Sequence, residues 1–289
     1  LKITEQIHLV TDPLGEMFTG VYILLGKEIA LVDTGLHKTP EEKVFPYLRQ
    51  LGRGPSEIAL VVLTHGHGDH YEGIPAVKRA SGAKVAVHET DAWLIEEDLD
   101  AVLWRSLHER YPDCFRPVKA EPYPKPDILL AEGDSLSLGD EEYQVLEIPG
   151  HTEGSIGLYQ PQQRVLFTGD AVSGEMLHFY GDPEQCIASD ERLLGLGVEL
   201  MLASHRYRPA PDAALRGADI RAFIQLHIGT IRTAVERTRE LVRASPRPVS
   251  PRELVDALKN VSLITAIRLL ENLVCRGEAR EVRAETRYW

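Results

Sequence analysis

The chain has 289 residues, 43% hydrophobic and 26% charged, with a formal net charge of −12. That length accommodates one large domain and a small one with a sizeable core. The composition excludes a disordered or low-complexity chain, and no apolar run reaches the roughly 18 residues of a membrane span. The charge is unevenly spread. From Arg206 onward 16 basic residues stand against 10 acidic ones, which leaves 16 against 34 before it. The larger lobe therefore repels polyanions at long range, and long nucleic acid, whose affinity rests on phosphate neutralisation, is disfavoured.

In chain order, Glu5 to Val10, Val21 to Leu25 and Ile29 to Val32 carry strand-type residues, with a turn at Gly26. Pro40, Glu41 and Glu42 open an amphipathic helix with Val44, Leu48 and Leu51 on its apolar face, and Gly52 to Pro55 end it. Ile58 to Leu63 is short and continuously apolar, as a strand buried on both faces should be. Directly after it comes Thr64-His65-Gly66-His67-Gly68-Asp69-His70, which packs three imidazoles and a carboxylate into six residues.

His65 and His67 are two apart, so in extended chain their side chains point the same way and can reach one ion. Gly66 and Gly68 allow tight turning. Asp69 and His70 fall where the chain bends into a helix expected over Glu72 to Ala80, aimed at a second point. Neutral imidazole and carboxylate suit zinc, with manganese or iron as alternatives.

Lys84 to Val87 reads as a strand, and His88 to Asp91 lead into a helix from Ala92, with His88 in a loop or cap role. Asp113 to Pro126 reads as a surface excursion over the site. Leu129 to Leu138 suggests a hairpin about Gly133-Asp134, and Tyr143 to Ile148 a strand ending at Pro149-Gly150-His151. Ile156 to Tyr159 and Arg164 to Phe167 continue the strands, and the latter delivers Asp170 after Gly169. A loop carrying His178, Phe179 and Tyr180 is a candidate pocket lining, and a helix from Pro183 to Gly195 follows. Val198 to Leu202 is expected as the domain's last strand and carries His205. Beyond it, Arg206 and Arg208 offer planar forks to an anionic substrate group, and Tyr207 joins them as a substrate-binding candidate.

Asp219 to Arg243 reads as a long bridging helix, with His227 as a satisfied core histidine. Ser245 to Pro248 is a stiff linker. Ser250 and Pro251 open a second helix, Ser262 to Cys275 forms a third, and Ala279 to Trp289 reads as a hairpin. Helix, helix, glycine and hairpin look like a winged-helix module. Its last helix offers only Arg268 and Asn272 to a major groove, so packing or homo-oligomerisation is expected of it rather than DNA reading. Three widely spaced cysteines, Cys114, Cys186 and Cys275, fit the reducing cytoplasm.

The His-x-His-x-Asp-His pattern after Thr64, with Ala30-Leu31-Val32-Asp33-Thr34-Gly35 upstream and Pro149-Gly150-His151-Thr152, Phe167-Thr168-Gly169-Asp170 and Ala203-Ser204-His205 downstream, resembles the metallo-β-lactamase superfamily over about residues 1 to 210. The resemblance implies an α/β chain whose catalytic domain, 1–212, is a four-layer αββα sandwich, followed by a bridging helix and linker over 213–245 and the winged-helix-like domain over 246–289. It also implies two zinc ions. His65, His67 and His151 would hold one, Asp69, His70 and His205 the other, and Asp170 would bridge them. Asp33 would orient an imidazole from behind, and Asp69 could also relay a proton. Two cations about 3.5 to 4 Å apart can share a hydroxide and polarise an electrophile. Most relatives have Gly-Pro after the last histidine, where this chain has Arg206-Tyr207-Arg208-Pro209.

The implied chemistry is hydrolysis. A small ester, thioester or lactone suits the acidic lobe and the aromatic loop. The alternatives are single-stranded RNA cleavage, as in β-lactamase-like endoribonucleases that share such an extension, and persulfide oxidation at a single iron.

Overall fold

In the computed structural model, which describes residues 1–15, 17–96, 109 and 123–281, the strands form two six-stranded sheets. The first holds β1 (Ile7–Leu14), β2 (Met17–Leu25), β3 (Ile29–Val32), β4 (Ile58–Val62), β5 (Lys84–His88) and β6 (Ile128–Leu130) side by side in that order. β1 to β3 pair antiparallel and β3 to β6 parallel. The second holds β7 (Ser135–Leu138), β8 (Glu141–Glu147), β9 (Ile156–Gln160), β10 (Val165–Gly169), β11 (Leu200–Ala203) and β12 (Ala214–Arg216), also in sequence order. Within it only β10 and β11 pair parallel.

Burial sorts the helices into layers. Tyr22, Val62, Val145, Leu158, Phe167 and Leu202 fill the space between the sheets. The outer face of the first sheet packs on α1 (Phe45–Gln50), which continues a π-helical turn at Pro40–Val44, and on α3 (Ile74–Ser81) and α4 (Ala92–Glu96) through Phe45, Leu48, Ile74, Val77 and Ile95. The outer face of the second is covered by α5 (Pro183–Leu194) and the 27-residue α6 (Ala218–Ala244), through Leu193, Ile220, Phe223, Ile224 and Ile228. This is the four-layer sandwich. A fourth cluster joins α6 to α7 (Pro251–Leu258) and α8 (Leu263–Cys275) and takes in Leu177 and Phe179.

Three expectations change. The hairpin about Gly133-Asp134 does not form: β6 closes the first sheet and β7 opens the second, so this turn is the crossing between them. The Asp134 carboxylate secures the crossing by accepting from the Ala131 amide at 2.9 Å. The helix after His70 is broken into α2 (Gly68–Tyr71) and α3. The His70 carbonyl is taken by the Thr34 amide at 2.7 Å and the Thr34 hydroxyl at 2.8 Å, and Pro75 has no N–H to continue the ladder. The strand β12, past residue 212, extends the second sheet beyond β11. The hairpin expected over Ala279 to Trp289 lies outside the described residues from 282 on, as does the excursion from Asp113 to residue 122, with Cys114. No described helix is long and apolar enough to cross a membrane.

Tyr22 ties the two sheets together. Its ring meets Phe167 edge-on, 5.0 Å between centroids, and its hydroxyl donates to the Ala203 carbonyl at 2.7 Å. Because that hydroxyl is buried, Tyr22→Phe removes a partner with no water to replace it. The variant is expected to lose about 1–3 kcal/mol of stability, seen as a lower urea midpoint at unaltered slope.

Candidate metal centre

One rim of the sandwich collects the ends of the strands that carry the histidine motif and its partners. β3, β4 and β5 run parallel, and β8 and β10 share a direction because both oppose β9. Asp33, the Thr64–His70 motif, His151, Asp170 and His205 thus emerge together from β3, β4, β8, β10 and β11.

The histidines converge. His151 Nε2 lies 3.1 Å from His65 Nε2 and 2.9 Å from His67 Nδ1, and the last two nitrogens are 3.0 Å apart. Beside this triangle, Asp170 Oδ2 stands 3.0 Å from His205 Nε2, 3.5 Å from His70 Nε2 and 3.6 Å from His151 Nε2. Asp69 reaches His70 Nε2 at 3.5 Å and His205 Nε2 at 3.3 Å. Three groups could each hold a metal ion: His65, His67 and His151; His65, His70 and Asp170; Asp69, His70 and His205.

The partners on the far side of each ring show which nitrogen faces inward as a lone pair. His151 Nδ1 donates to the His178 carbonyl at 2.6 Å and His205 Nδ1 to the Phe18 carbonyl at 2.5 Å. His70 Nδ1 donates to Asp33 Oδ2 at 2.8 Å. The Thr64 hydroxyl donates to Asp33 and so accepts from His65 Nδ1 at 3.0 Å. In each ring the other nitrogen is left to act as an acceptor. Acceptors that face one another at about 3 Å repel unless a cation or proton lies between them, and His70 Nε2 and Asp170 Oδ1 are buried without a hydrogen-bond partner. The donor set therefore fits metal ions, imidazole with carboxylate being ligands for divalent transition metals.

Electrostatics divides the centre in two. Burial pushes His65 and His67 well below the usual imidazole range and His151 down to about 4, so this trio is neutral. Burial acts in the same sense on His70 and His205, but Asp69 and Asp170 outweigh it, lifting His70 well above its usual value and His205 to about 10. Burial alone would raise the two carboxyls as well, but His70 and His205 hold both below the usual range.

Asp33 anchors the centre from beneath. It is fully buried, sits at a left-handed φ of 62° at the end of β3, and accepts from the Thr64 amide at 2.8 Å and the Ser204 hydroxyl at 3.0 Å besides His70. Asp91 is the residue that motif reasoning passed over. Its carboxylate accepts from the Gly66 amide, the Thr152 hydroxyl and the Gly154 amide, each at 2.8 Å, which locks the His65–His67 turn to the His151 loop. A side chain at Gly154 would meet that carboxylate at 2.5 Å. The only available signal was a carboxylate closing the His88-Glu89-Thr90-Asp91 turn after a buried strand.

The other candidates fall into place individually. His178 and Tyr180 border the centre, with ring centroids 6.2 and 4.3 Å from that of His67. Tyr207 is buried against His205 at 5.5 Å, and its phenol is pushed up by burial and then by Asp170 and Asp69. Arg206 and Arg208 are exposed on either side of it, so the phenol, rather than either guanidinium, lies against the acidic side of the centre. His88 ends β5 and meets Glu147 at 3.1 Å, and His227 is buried between Asp190 at 2.8 Å and Ser173 at 3.2 Å.

Residues 15–205 match the model of the metallo-beta-lactamase superfamily; the chain belongs to that superfamily and is a hydrolase of it. It is 30% identical to a hydroxyacylglutathione hydrolase of Cereibacter sphaeroides over 207 residues, 71% of this chain and 68% of that one. It is 36% identical to an acyl-coenzyme A thioesterase of Gallus gallus over 173 residues, 53% of this chain and 58% of the length of that relative. A crystal structure of a metallo-beta-lactamase family protein from Thermus thermophilus is similar in fold, with a TM-score of 0.76 at 23% identity over 96% of this chain and 95% of that one.

Two outcomes follow from the division of charge and from Asp33. In the metal-free protein at pH 7, His70 and His205 carry protons that a metal held with Asp69 must displace, while the His65, His67 and His151 trio has none to lose. Calorimetric titration in buffers of different ionisation enthalpy is expected to show two binding events. One releases protons and strengthens as pH rises from 7 towards 10; the other is flat over that range. Asp33→Asn is expected to weaken metal binding by about 10–100-fold, measured by competition with a chromophoric chelator.

Proposed function

We propose that the chain is a zinc-dependent hydrolase of acyl thioesters. In this reading His65, His67 and His151 hold one ion, Asp69, His70 and His205 a second, and Asp170 stands between them. The observation that carries it is the convergence of inward lone pairs from His65, His70, His151 and His205 on Asp170 Oδ2, the farthest at 4.0 Å. When bound, such a pair of ions supplies an acidified water and polarises the substrate carbonyl.

The chain's own groups do the rest. The Asp69 side chain is 21% exposed against 7% for Asp170, so Asp69 is the carboxylate that faces the mouth and can take or pass a proton. Asp170, deeper and shared by four histidines, holds the acidic side in place. Tyr180 and His178 form an aromatic wall beside His67 along which an acyl or thiol chain can lie. The exposed Arg206 and Arg208 can meet an anionic group on the thiol portion.

The thioester is preferred because the curated relatives reported above are named for hydroxyacylglutathione and acyl-coenzyme A. RNA is opposed by the 34 acidic residues before Arg206. DNA reading loses its two groups on α8, because Arg268 pairs with Glu271 at 2.8 Å and Asn272 donates to Asp182 at 3.0 Å. Unpaired Cys186 and Cys275 fit a cytoplasmic setting.

The test is a panel of S-acyl glutathione, acyl-coenzyme A, acyl lactone, p-nitrophenyl ester and single-stranded RNA, run beside metal analysis of the purified chain. Thioester turnover is expected, lost on chelation and restored by zinc. Asp170→Ala should lower kcat/KM about 1,000-fold through loss of several kcal/mol of charge stabilisation. RNA cleavage without thioester turnover, or turnover that survives complete metal removal, overturns the assignment.

A further inference from the structure

The segment Leu177–Tyr180 is held from two sides and alternates between them. His178 and Tyr180 turn their rings to the metal centre, 5.8 and 6.2 Å from the His151 ring. Leu177 and Phe179 turn the other way and are buried among Leu254, Leu258, Ala266 and Leu269 of the C-terminal helices. That is the two-residue period of extended chain.

The backbone is divided in the same manner. Towards the metal centre, the His178 carbonyl accepts from His151 Nδ1, the Tyr180 amide donates to the His151 carbonyl at 2.8 Å, and the Gly181 amide donates to the Gly150 carbonyl at 2.9 Å. Towards the C-terminal helices, the Leu177 amide donates to the Asn260 carbonyl at 2.8 Å, and its carbonyl accepts from the Ser262 amide at 3.0 Å. The Phe179 amide donates to the Thr265 hydroxyl oxygen at 2.9 Å, and that hydroxyl lies 3.2 Å from the Leu177 carbonyl.

Thr265 is the α8 side chain that hydrogen-bonds the backbone in the middle of the segment. It is fully buried in the first turn of that helix, where Ser262 caps its amide at 3.2 Å. A buried Phe179 amide deprived of this oxygen has no solvent to turn to.

We propose that Thr265 is a positioning residue for substrate binding: through the Phe179 peptide it clamps His178 and Tyr180 against the metal centre, and this is the task of the C-terminal helices. The substrate part rests on the thioester reading; the clamp itself does not.

The experiment uses the full chain, Thr265→Val, which replaces the hydroxyl by a methyl of similar size, and Thr265→Ser as the conservative rescue. Amide hydrogen exchange followed by mass spectrometry reads the clamp. In the wild type, peptides covering 177–181 are expected to be protected like those of β10. In Thr265→Val they should exchange at least about 10-fold faster while β10 and α6 stay unaltered, and Thr265→Ser should restore protection. With an acyl thioester, Thr265→Val should raise KM about 5–20-fold with kcat within about two-fold, the signature of lost binding rather than lost chemistry, at unaltered zinc content.

Segment 177–181 exchanging like an open loop in the wild type overturns the clamp without recourse to any variant. Unaltered exchange in Thr265→Val overturns it too, and so does a parallel fall in kcat and zinc content, which would mark a purely structural role. Absence of thioester turnover in the wild type, with the exchange pattern as expected, refutes the substrate reading and leaves the clamp standing.

Discussion

A carboxylate with no exposed surface, Asp33, is the group on which fold and centre both depend. Taking such a charge out of water costs several kcal/mol unless its oxygens are well supplied with donors. Asp33 has the Thr64 amide and hydroxyl, the Ser204 hydroxyl and His70 Nδ1. These donors come from the ends of β4 and β11 and from α2, so one side chain joins both sheets to the metal motif. The backbone conforms to it: Asp33 takes a left-handed φ, tolerated better by Asp than by most residues. Gly169 is also constrained from here, because a Cβ there would meet the Thr64 hydroxyl at 2.6 Å. Through Thr64 the influence reaches His65, so one carboxylate fixes the tautomers of two imidazoles that face different parts of the centre.

Above that anchor the centre is asymmetric in charge. The trio of His65, His67 and His151 is buried and kept neutral, while in the other half Asp69 and Asp170 hold His70 and His205 in the protonated form. Burial and charge therefore act on chemically identical imidazoles in opposite senses within a few ångströms. Asp91 contributes to the neutral side alone, since its three donors lie in the turn between His65 and His67 and in the loop after His151.

The sequence made the centre legible because its candidate ligands sit immediately beyond short apolar strands, and a strand end fixes a side chain's position without knowledge of long-range contacts. The alternation of buried strands with amphipathic helices was legible too, but it permits several α/β layouts, and the four-layer order came from the family resemblance alone. What escaped was set by pairing between distant backbone groups. The break between α2 and α3 comes from Thr34, far away in sequence, taking the His70 carbonyl. The crossing at Gly133-Asp134 looks locally like any hairpin turn, and only sheet membership distinguishes the two. Two of the three donors to Asp91 are backbone amides, which carry no residue-type signature. The C-terminal helices showed their caps and periodicity in sequence, whereas the Thr265 contact to Phe179 joins residues 86 apart.

The centre draws His65, His67, Asp69 and His70 from the first sheet, and His151, Asp170 and His205 from the second. During synthesis, a chain that has emerged only as far as β6 owns two of the three residues in each group that could hold a metal ion and can complete none of them. The donor set is thus complete only after β11 has been made. A chain stopped short of the second sheet has no complete set of donors with which to grip an ion at this rim.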